Sequence, residues 1–330
     1  MGRNDEKGTT LKSLLLENAL KKTTDKTREI TNDGTVKNYK RFLGDFNNWV
    51  KSEGIEQRYK SLDEVKDPIA LVQKYTDSMV EKGCYSPWTI HTKIAPVCKG
   101  FGISLKEIDH PQRTANHITR GRITTERVEL DRSNSRYERF FTLAKATGIR
   151  KSELERLTGK NLVLDESGKL CVEVERGKGG KYQLQRVLPQ YKDVVYRIFR
   201  DVAPDEKVFK DTETKGKIST HQLRRDLSRE AYAYYNKKIQ TEDGYKLKLI
   251  NELIDRYKTF NKNATERDIN RFKGQMLSMD GQYHLRGENR KMAIINGRAT
   301  VYDRVALMAV SVFHESHWRL DVSVVNYMVN

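Results

Sequence analysis

Along the stretch TVKNYKRFLGDFNNWVKSEG, apolar residues recur at intervals of three and four, at Val36, Tyr39, Phe42, Leu43, Phe46 and Trp49. That spacing is the buried stripe of an amphipathic helix, with Asp33 as its N-cap and Gly54 as its stop. PIALVQKYTDSMVEKG predicts a second helix, because Pro68 suits a first turn and Gly83 an exit. SPWTIHTKIAPVCKGFG predicts a third, opened by Ser86 with Pro87 behind it, and a short fourth begins near Ser104. Together they predict an all-helical domain over residues 33–110, basic on its outer faces. Ahead of it, residues 9–30 carry Leu11, Leu14, Leu15, Leu16 and Leu20 on an otherwise basic helix too polar to stand alone, so residues 1–32 read as an N-terminal arm.

Periodicity disappears in PQRTANHITRGRITT, which places an interdomain linker at residues 111–125. The second domain, residues 126–330, opens with a helix from Ser133 to Thr147 and a further helical pattern after Gly148. LCVEVERG and KYQLQRVLP then alternate as strands around the glycine-rich segment 177–181, which predicts a β-hairpin. Beyond Pro204 the pattern is helical to the end. The fold class is therefore mainly α with a small antiparallel β-sheet.

Charge changes the picture. The 330 residues carry 62 Lys+Arg against 45 Asp+Glu, a formal net charge of +17 spread along the chain. A field of that sign concentrates polyanions and speeds their encounter, so nucleic acid is the leading partner. No stretch approaches the length of a membrane span and the N-terminus has no apolar signal segment, so a cytoplasmic protein without a membrane partner is expected. The three cysteines, Cys84, Cys98 and Cys171, lack metal-ligand spacing and read as reduced thiols. No paired acidic or histidine ligands suggest a metal, and no cofactor is expected.

The candidate chemistry is a set of cationic and hydroxyl groups. Taken singly, Arg150, Lys178, His221, Arg224, Trp318 and Tyr327 are what any basic surface or docking helix offers. Their order carries more: ATGIRKSEL (146–154), RGKGGK before an LP (176–189), STHQLRR (219–225), then SHW with a tyrosine nine residues after the tryptophan. In this order and with these residue types the chain resembles the tyrosine recombinase (phage integrase) family over residues 33–330.

The resemblance implies a helical, SAM-like core-binding domain followed by an α+β catalytic domain similar to those of the Cre and Xer branches. It implies Arg150 and Arg224 as the catalytic arginines, Glu153 as the carboxylate behind the first, Lys178 as the hairpin lysine and His221 as the first residue of the H-x-x-R box. Tyr327 is then the nucleophile, with Trp318 in the position that the Cre branch fills with tryptophan.

The implied activity is site-specific DNA cleavage and rejoining through a 3′-phosphotyrosine and a Holliday junction, for integration or excision of a mobile element. Its partners would be double-stranded recombination sites, a homotetramer and an accessory DNA-bending protein. Physical chemistry agrees with the set. Two guanidinium forks can grip a phosphate whose charge grows during attack, and tyrosine must lose a proton while the 5′-oxygen gains one.

Departures leave alternatives open. His317 stands where the family usually has glycine, so it could be the active-site ring with the spacing to Tyr327 stretched by one. Trp318 is the expectation, because a one-residue shift rotates an α-helix by about 100°. Arg225 replaces the family's more usual histidine. Arg224 and Trp318 lie far apart, so residues of about 237–300 read as an inserted helical segment. Only three residues follow Tyr327, so contact between protomers is expected from that insertion or from the helix at 9–30. A type IB topoisomerase shares the Arg, Lys, His and Tyr set, and a non-catalytic basic architectural protein would use the aromatic tail structurally.

Overall fold

The computed structural model describes residues 8–21, 30, 33–113, 135–215 and 220–329. The described residues are mainly helical, with three small antiparallel sheets. Two compact units divide the chain, Met1–Thr119 and Arg120–Asn330. Residues 114–125 of the expected linker lie outside the described residues.

In the first unit, β1 (Thr9–Thr10) leads into α1 (Leu11–Leu20), followed by α2 (Asp33–Ser52), β2 (Arg58–Tyr59), α3 (Pro68–Glu81) and α4 (Pro87–Phe101). Asp33, expected as the N-cap, is the first residue of α2, and the signals around α3 and α4 act as the spacing predicts. The Asp67 and Ser86 side chains accept hydrogen bonds from the first turns of α3 and α4, and Gly102 ends α4 in the left-handed conformation at φ 74°. The expected fourth helix is a single 3₁₀ turn, Leu105–Glu107, closed by a reciprocal Ser104–Glu107 capping box.

The arm expectation is corrected in part. Of residues 1–32, only 8–21 and 30 are described, and Leu11–Leu20 of these form α1 with Leu11, Leu15 and Ala19 fully buried. Three positions at four-residue spacing put one leucine-rich face against α2 and α4. Gly100 permits that approach, since a Cβ there would sit 2.9 Å from the Leu15 carbonyl.

The second unit has two cores. The smaller gathers around α5 (Glu138–Thr147), α6 (Lys151–Leu154), the sheet β3 (Leu162–Leu164), β4 (Leu170–Val174) and β5 (Gln183–Arg186), and α7 (Lys192–Phe199). The expected hairpin is β4–β5, with Val174 opposite Gln183, and β3 is an additional edge strand paired to β4. The short α8 (Asp211–Thr214) follows.

The larger core gathers around α9 (His221–Thr241), α10 (Tyr245–Phe260), α11 (Glu266–Leu277) and α13 (Arg304–Phe313). From Val305 to Phe313 every residue of α13 is buried, as expected of a helix apolar all round. Between α11 and α13 lie β6 (Gln282–His284), α12 (Gly287–Ile295) and β7 (Val301–Asp303), with β6 and β7 paired antiparallel. The segment read as an insertion at 237–300 is thus part of this core. Leu249, Leu253, Phe272 and Met276 are buried against α13, and α9 runs into the segment without a break.

A buried ion network joins the sheet to α10. Asp165, in the β3–β4 turn, accepts from Arg186 Nη2 and Arg256 Nη2, both at 2.7 Å, and from Arg186 Nε at 3.0 Å. Arg186 also binds Glu252 at 2.9 Å and lies 3.7 Å over the Phe313 ring. Arg256 binds Glu166 at 2.7 Å. Burial alone would raise the Asp165 carboxyl, but the Arg186 charge, backbone donors and Arg256 outweigh it and hold it low.

Cys98 and Cys171 are buried, and burial pushes both thiols up to about 12; Cys84 is exposed and all three are free. Among the described residues, no helix is long and apolar enough to cross a membrane.

Candidate active site

Four segments of the second unit bring the candidate groups together. The first is the α5–α6 corner. Gly148 caps α5 at φ 64°, a conformation that suits glycine, and Arg150 immediately precedes α6. Arg150 donates from its backbone N–H (3.1 Å) and from Nη1 (3.0 Å) to Glu153.

Glu153 is almost wholly buried and is the hub of the second segment as well. It accepts from the Lys178 N–H at 3.0 Å and from Gln183 Nε2 at 3.1 Å. Burial by itself would raise its carboxyl; the Arg150 charge and these hydrogen bonds override it and keep the group ionised below the usual range. Glu153 therefore fixes the hairpin turn that carries Lys178, whose side chain is exposed. Gly177 cannot be replaced there without rearrangement, because a Cβ would meet Gln183 Nε2 at 1.6 Å.

The third segment is the start of α9. His221 is its first residue and Arg224 lies one turn on, on the same side. Burial, then the charges of Arg224, Arg150, Arg225 and Lys178, hold the His221 imidazole below its ordinary value. Arg150, Lys178, Arg224 and Arg225 are thus near enough to the His221 ring to act on it as charges. Arg224 is 1% exposed and its fork is fully directed: Nη1 donates to the Gly148 carbonyl, Nη2 to the Glu315 carbonyl and Nε to the Tyr327 hydroxyl at 3.1 Å.

The fourth segment is the chain end, with α14 (Leu320–Ser323) continuing into a π-helical turn, Val324–Met328. Tyr327 is 9% exposed, and its hydroxyl lies 3.2 Å from His317 Nε2 with the two rings stacked at 25°. Burial first, then Arg224, Arg150, Lys178 and Arg319, push the His317 imidazole down to about 3. A neutral ring, in the tautomer that leaves Nε2 without a proton, accepts a hydrogen bond from the phenol while Arg224 Nε donates to the same oxygen.

Trp318 is not at the tyrosine. Its ring packs on Tyr257, Phe260 and Phe272 of α10 and α11, with centroids 5.5–6.0 Å apart. His317, and not the expected Trp318, is the ring at the Tyr327 hydroxyl, for two physical reasons. Ser316 and Trp318 both adopt left-handed backbone, φ 55° and 59°, which turns His317 and Trp318 to opposite sides. The π-turn then takes up the extra residue between His317 and Tyr327, because an i→i+5 bond (Val329 N–H to Val324 carbonyl, 3.3 Å) accommodates one more residue than an α-turn.

Several residues of the site went unnoticed in the sequence. Gln183 and Gln185 are buried on β5, and Gln185 Nε2 donates both to Gln183 Oε1 at 3.0 Å and to Ser316 Oγ at 3.1 Å. They connect Glu153 to the loop that presents His317. Two glutamines at i and i+2 on a strand face that should be apolar were the available signal. His314 and Glu315 are fully buried behind Arg224. Burial drives the His314 imidazole down to about 3 and the Glu315 carboxyl up, and Glu315 accepts from the Ser323 hydroxyl. Nothing distinguished them in sequence from an ordinary polar loop.

No protein-family model matches this chain, and no curated protein matches it. Among solved structures, the crystal structure of XerA recombinase is similar to it at 18% identity, covering 68% of this chain and 85% of that one, with a TM-score of 0.22. Likeness at that level fixes neither fold nor activity here, so the functional reading rests on the cleft itself.

Proposed function

We propose that the protein cuts and rejoins DNA strands as a tyrosine recombinase, with Tyr327 as nucleophile. One observation carries the reading: a nearly buried tyrosine hydroxyl held between Arg224 Nε and a neutral His317, with the charges of Arg150 and Lys178 close enough to act on that ring. A tyrosine placed only for packing has no need of an arginine donor and an imidazole acceptor on its oxygen.

In the proposed step the Tyr327 oxygen attacks phosphorus, its proton passes to His317 Nε2, and the bond from phosphorus to the 5′-oxygen breaks. Lys178, on its exposed turn, gives the proton that the 5′-oxygen takes. Arg150 neutralises the nonbridging oxygens, where charge grows in the transition state, while Arg224 keeps its Nε on the attacking tyrosine oxygen. The 3′-phosphotyrosine conserves the bond for rejoining to another strand. Strand exchange between two sites in a tetramer, through a Holliday junction and in the service of a mobile element, is the biological form we propose. Glu153, Gln183 and Gln185 act as positioning residues.

The test is incubation with nicked suicide duplexes, followed by denaturing gels. Wild type should give a covalent protein–DNA band and Tyr327→Phe none. A band of equal intensity from Tyr327→Phe overturns the assignment. Junctions formed between two cognate sites would separate a recombinase from a topoisomerase.

A further inference from the structure

A cavity of about 310 Å³ opens beside the distal half of α9, away from the cleft. Tyr234, in its wall, lies 13 residues beyond His221, about 20 Å along the helix at 1.5 Å per residue. The cavity has the size of a small-ligand pocket.

Its charges are arranged for an anion. Lys169 from the β3–β4 turn, Lys192 from the start of α7 and Lys248 from the first turn of α10 converge on it from three elements, and none has an ion-pair partner among the described residues. Arg186 closes the back, already held by Asp165 and Glu252. Gly244 precedes α10 with no side-chain cap, so that helix end adds its partial positive charge. Lysines are compact point charges that suit a phosphate approached from several sides.

The remaining wall decides the ligand class. Tyr234 and Tyr245, whose rings hold the Lys238 ammonium at 5.5 and 4.6 Å, and Pro189 supply the aromatic and apolar part of the wall beside that cation. Glu242, Asp243 and Glu252 share the lining. Carboxylates repel the continuous phosphates of a duplex but tolerate a single phosphate set among lysines, and they accept hydrogen bonds from hydroxyls. We propose that this cavity binds a phosphorylated small molecule of mononucleotide size, as a site separate from the DNA cleft. The two share one buried wall. Tyr235 lines the cavity and its hydroxyl meets His314 Nε2 at 3.1 Å, while the carbonyl of the next residue, Glu315, holds Arg224.

Calorimetric titration of the full chain without DNA tests this, with AMP, inorganic phosphate and adenosine as probes. AMP and phosphate should bind saturably and adenosine should not. Lys192→Glu and Lys248→Glu should each weaken AMP by about tenfold or more, as expected for reversing one charge at a phosphate contact. Arg150→Ala, in the cleft, should leave AMP affinity unchanged. Absence of saturable binding of both AMP and phosphate overturns the proposal. So does AMP binding that survives both lysine variants and disappears in Arg150→Ala, which would put the phosphate in the cleft. A tenfold loss of duplex affinity in the lysine variants, with AMP binding unaltered, would make them DNA contacts and overturn it too. Lys248 is exposed, so its variant reports even if the half-buried Lys192 position disturbs folding.

Discussion

Ser316 and Trp318 each hold a left-handed backbone that costs about 1 kcal/mol or more in a residue with a side chain. The return is orientation: His317 faces Tyr327 and Trp318 is sunk among the rings of α10 and α11. The two residues should therefore fail differently. His317→Ala should lower the rate of covalent adduct formation by about 10²–10⁴-fold, the range of a lost general base, with little change in melting temperature. Trp318→Ala should cost about 2 kcal/mol of stability through lost aromatic packing and slow adduct formation only by loosening the loop; Trp318→Phe should restore most of both. Denaturation curves beside single-turnover cleavage would show the split. Equal loss of cleavage in His317→Ala and Trp318→Phe would contradict it.

Elements meet here through close approaches and buried charge. In the first unit α1 lies so near α4 that Gly100→Ala would set a Cβ 2.8 Å from Leu15 Cδ2 and 2.9 Å from its carbonyl. Backbone cannot move aside as a side-chain end can, so overpacking of about 1–3 kcal/mol is expected, read as a lower denaturation midpoint. In the second unit the Asp165–Arg186–Arg256 network ties the sheet to α10. Removing one partner of a buried pair leaves charge uncompensated, and Arg256→Met should cost about 3 kcal/mol in chemical denaturation. Because α10 carries Tyr257 and Phe260 against Trp318, the same variant should slow cleavage more than its stability loss explains. A change below about 1 kcal/mol would mean that the network stabilises no more than a surface pair does.

For the whole molecule, the buried histidines set a dependence on pH. His314 and His317 are both pushed down to about 3, while an unfolded imidazole titrates near 6.5. Below 6.5 the unfolded chain binds protons that the folded chain refuses. Stability is therefore fully present above 6.5 and lost as pH falls from there towards 3. Glu315, raised by burial, works in the opposite sense above its ordinary 4.5. Thermal melts between pH 7.5 and 5 should show a falling midpoint, and His317→Asn should flatten that fall. An unchanged slope in the variant would mean that His317 takes up its proton in the folded state. The core also changes the meaning of the segment at 237–300. With Leu249, Leu253, Phe272 and Met276 packed on α13, it cannot be removed without opening the molecule.

The sequence by itself determined what depends on near neighbours. α2, α3 and α4 follow from stripes at three and four residues and from the side chains of Asp67 and Ser86, which act within one turn. The hairpin β4–β5 follows from alternation around a glycine turn, and the residue types of the cleft were present in order from Arg150 to Tyr327. What the sequence could not supply was geometry across long separations. Asp165, Arg186 and Arg256 become one network only when the sheet meets α10, and a leucine face at residues 11–20 becomes core only when Gly100 admits it. Which of His317 and Trp318 faces Tyr327 was set last and most locally. Two left-handed residues and one π-turn moved a ring by a full side of the chain, and such backbone choices are made by the packing around them, not by the letters at those positions.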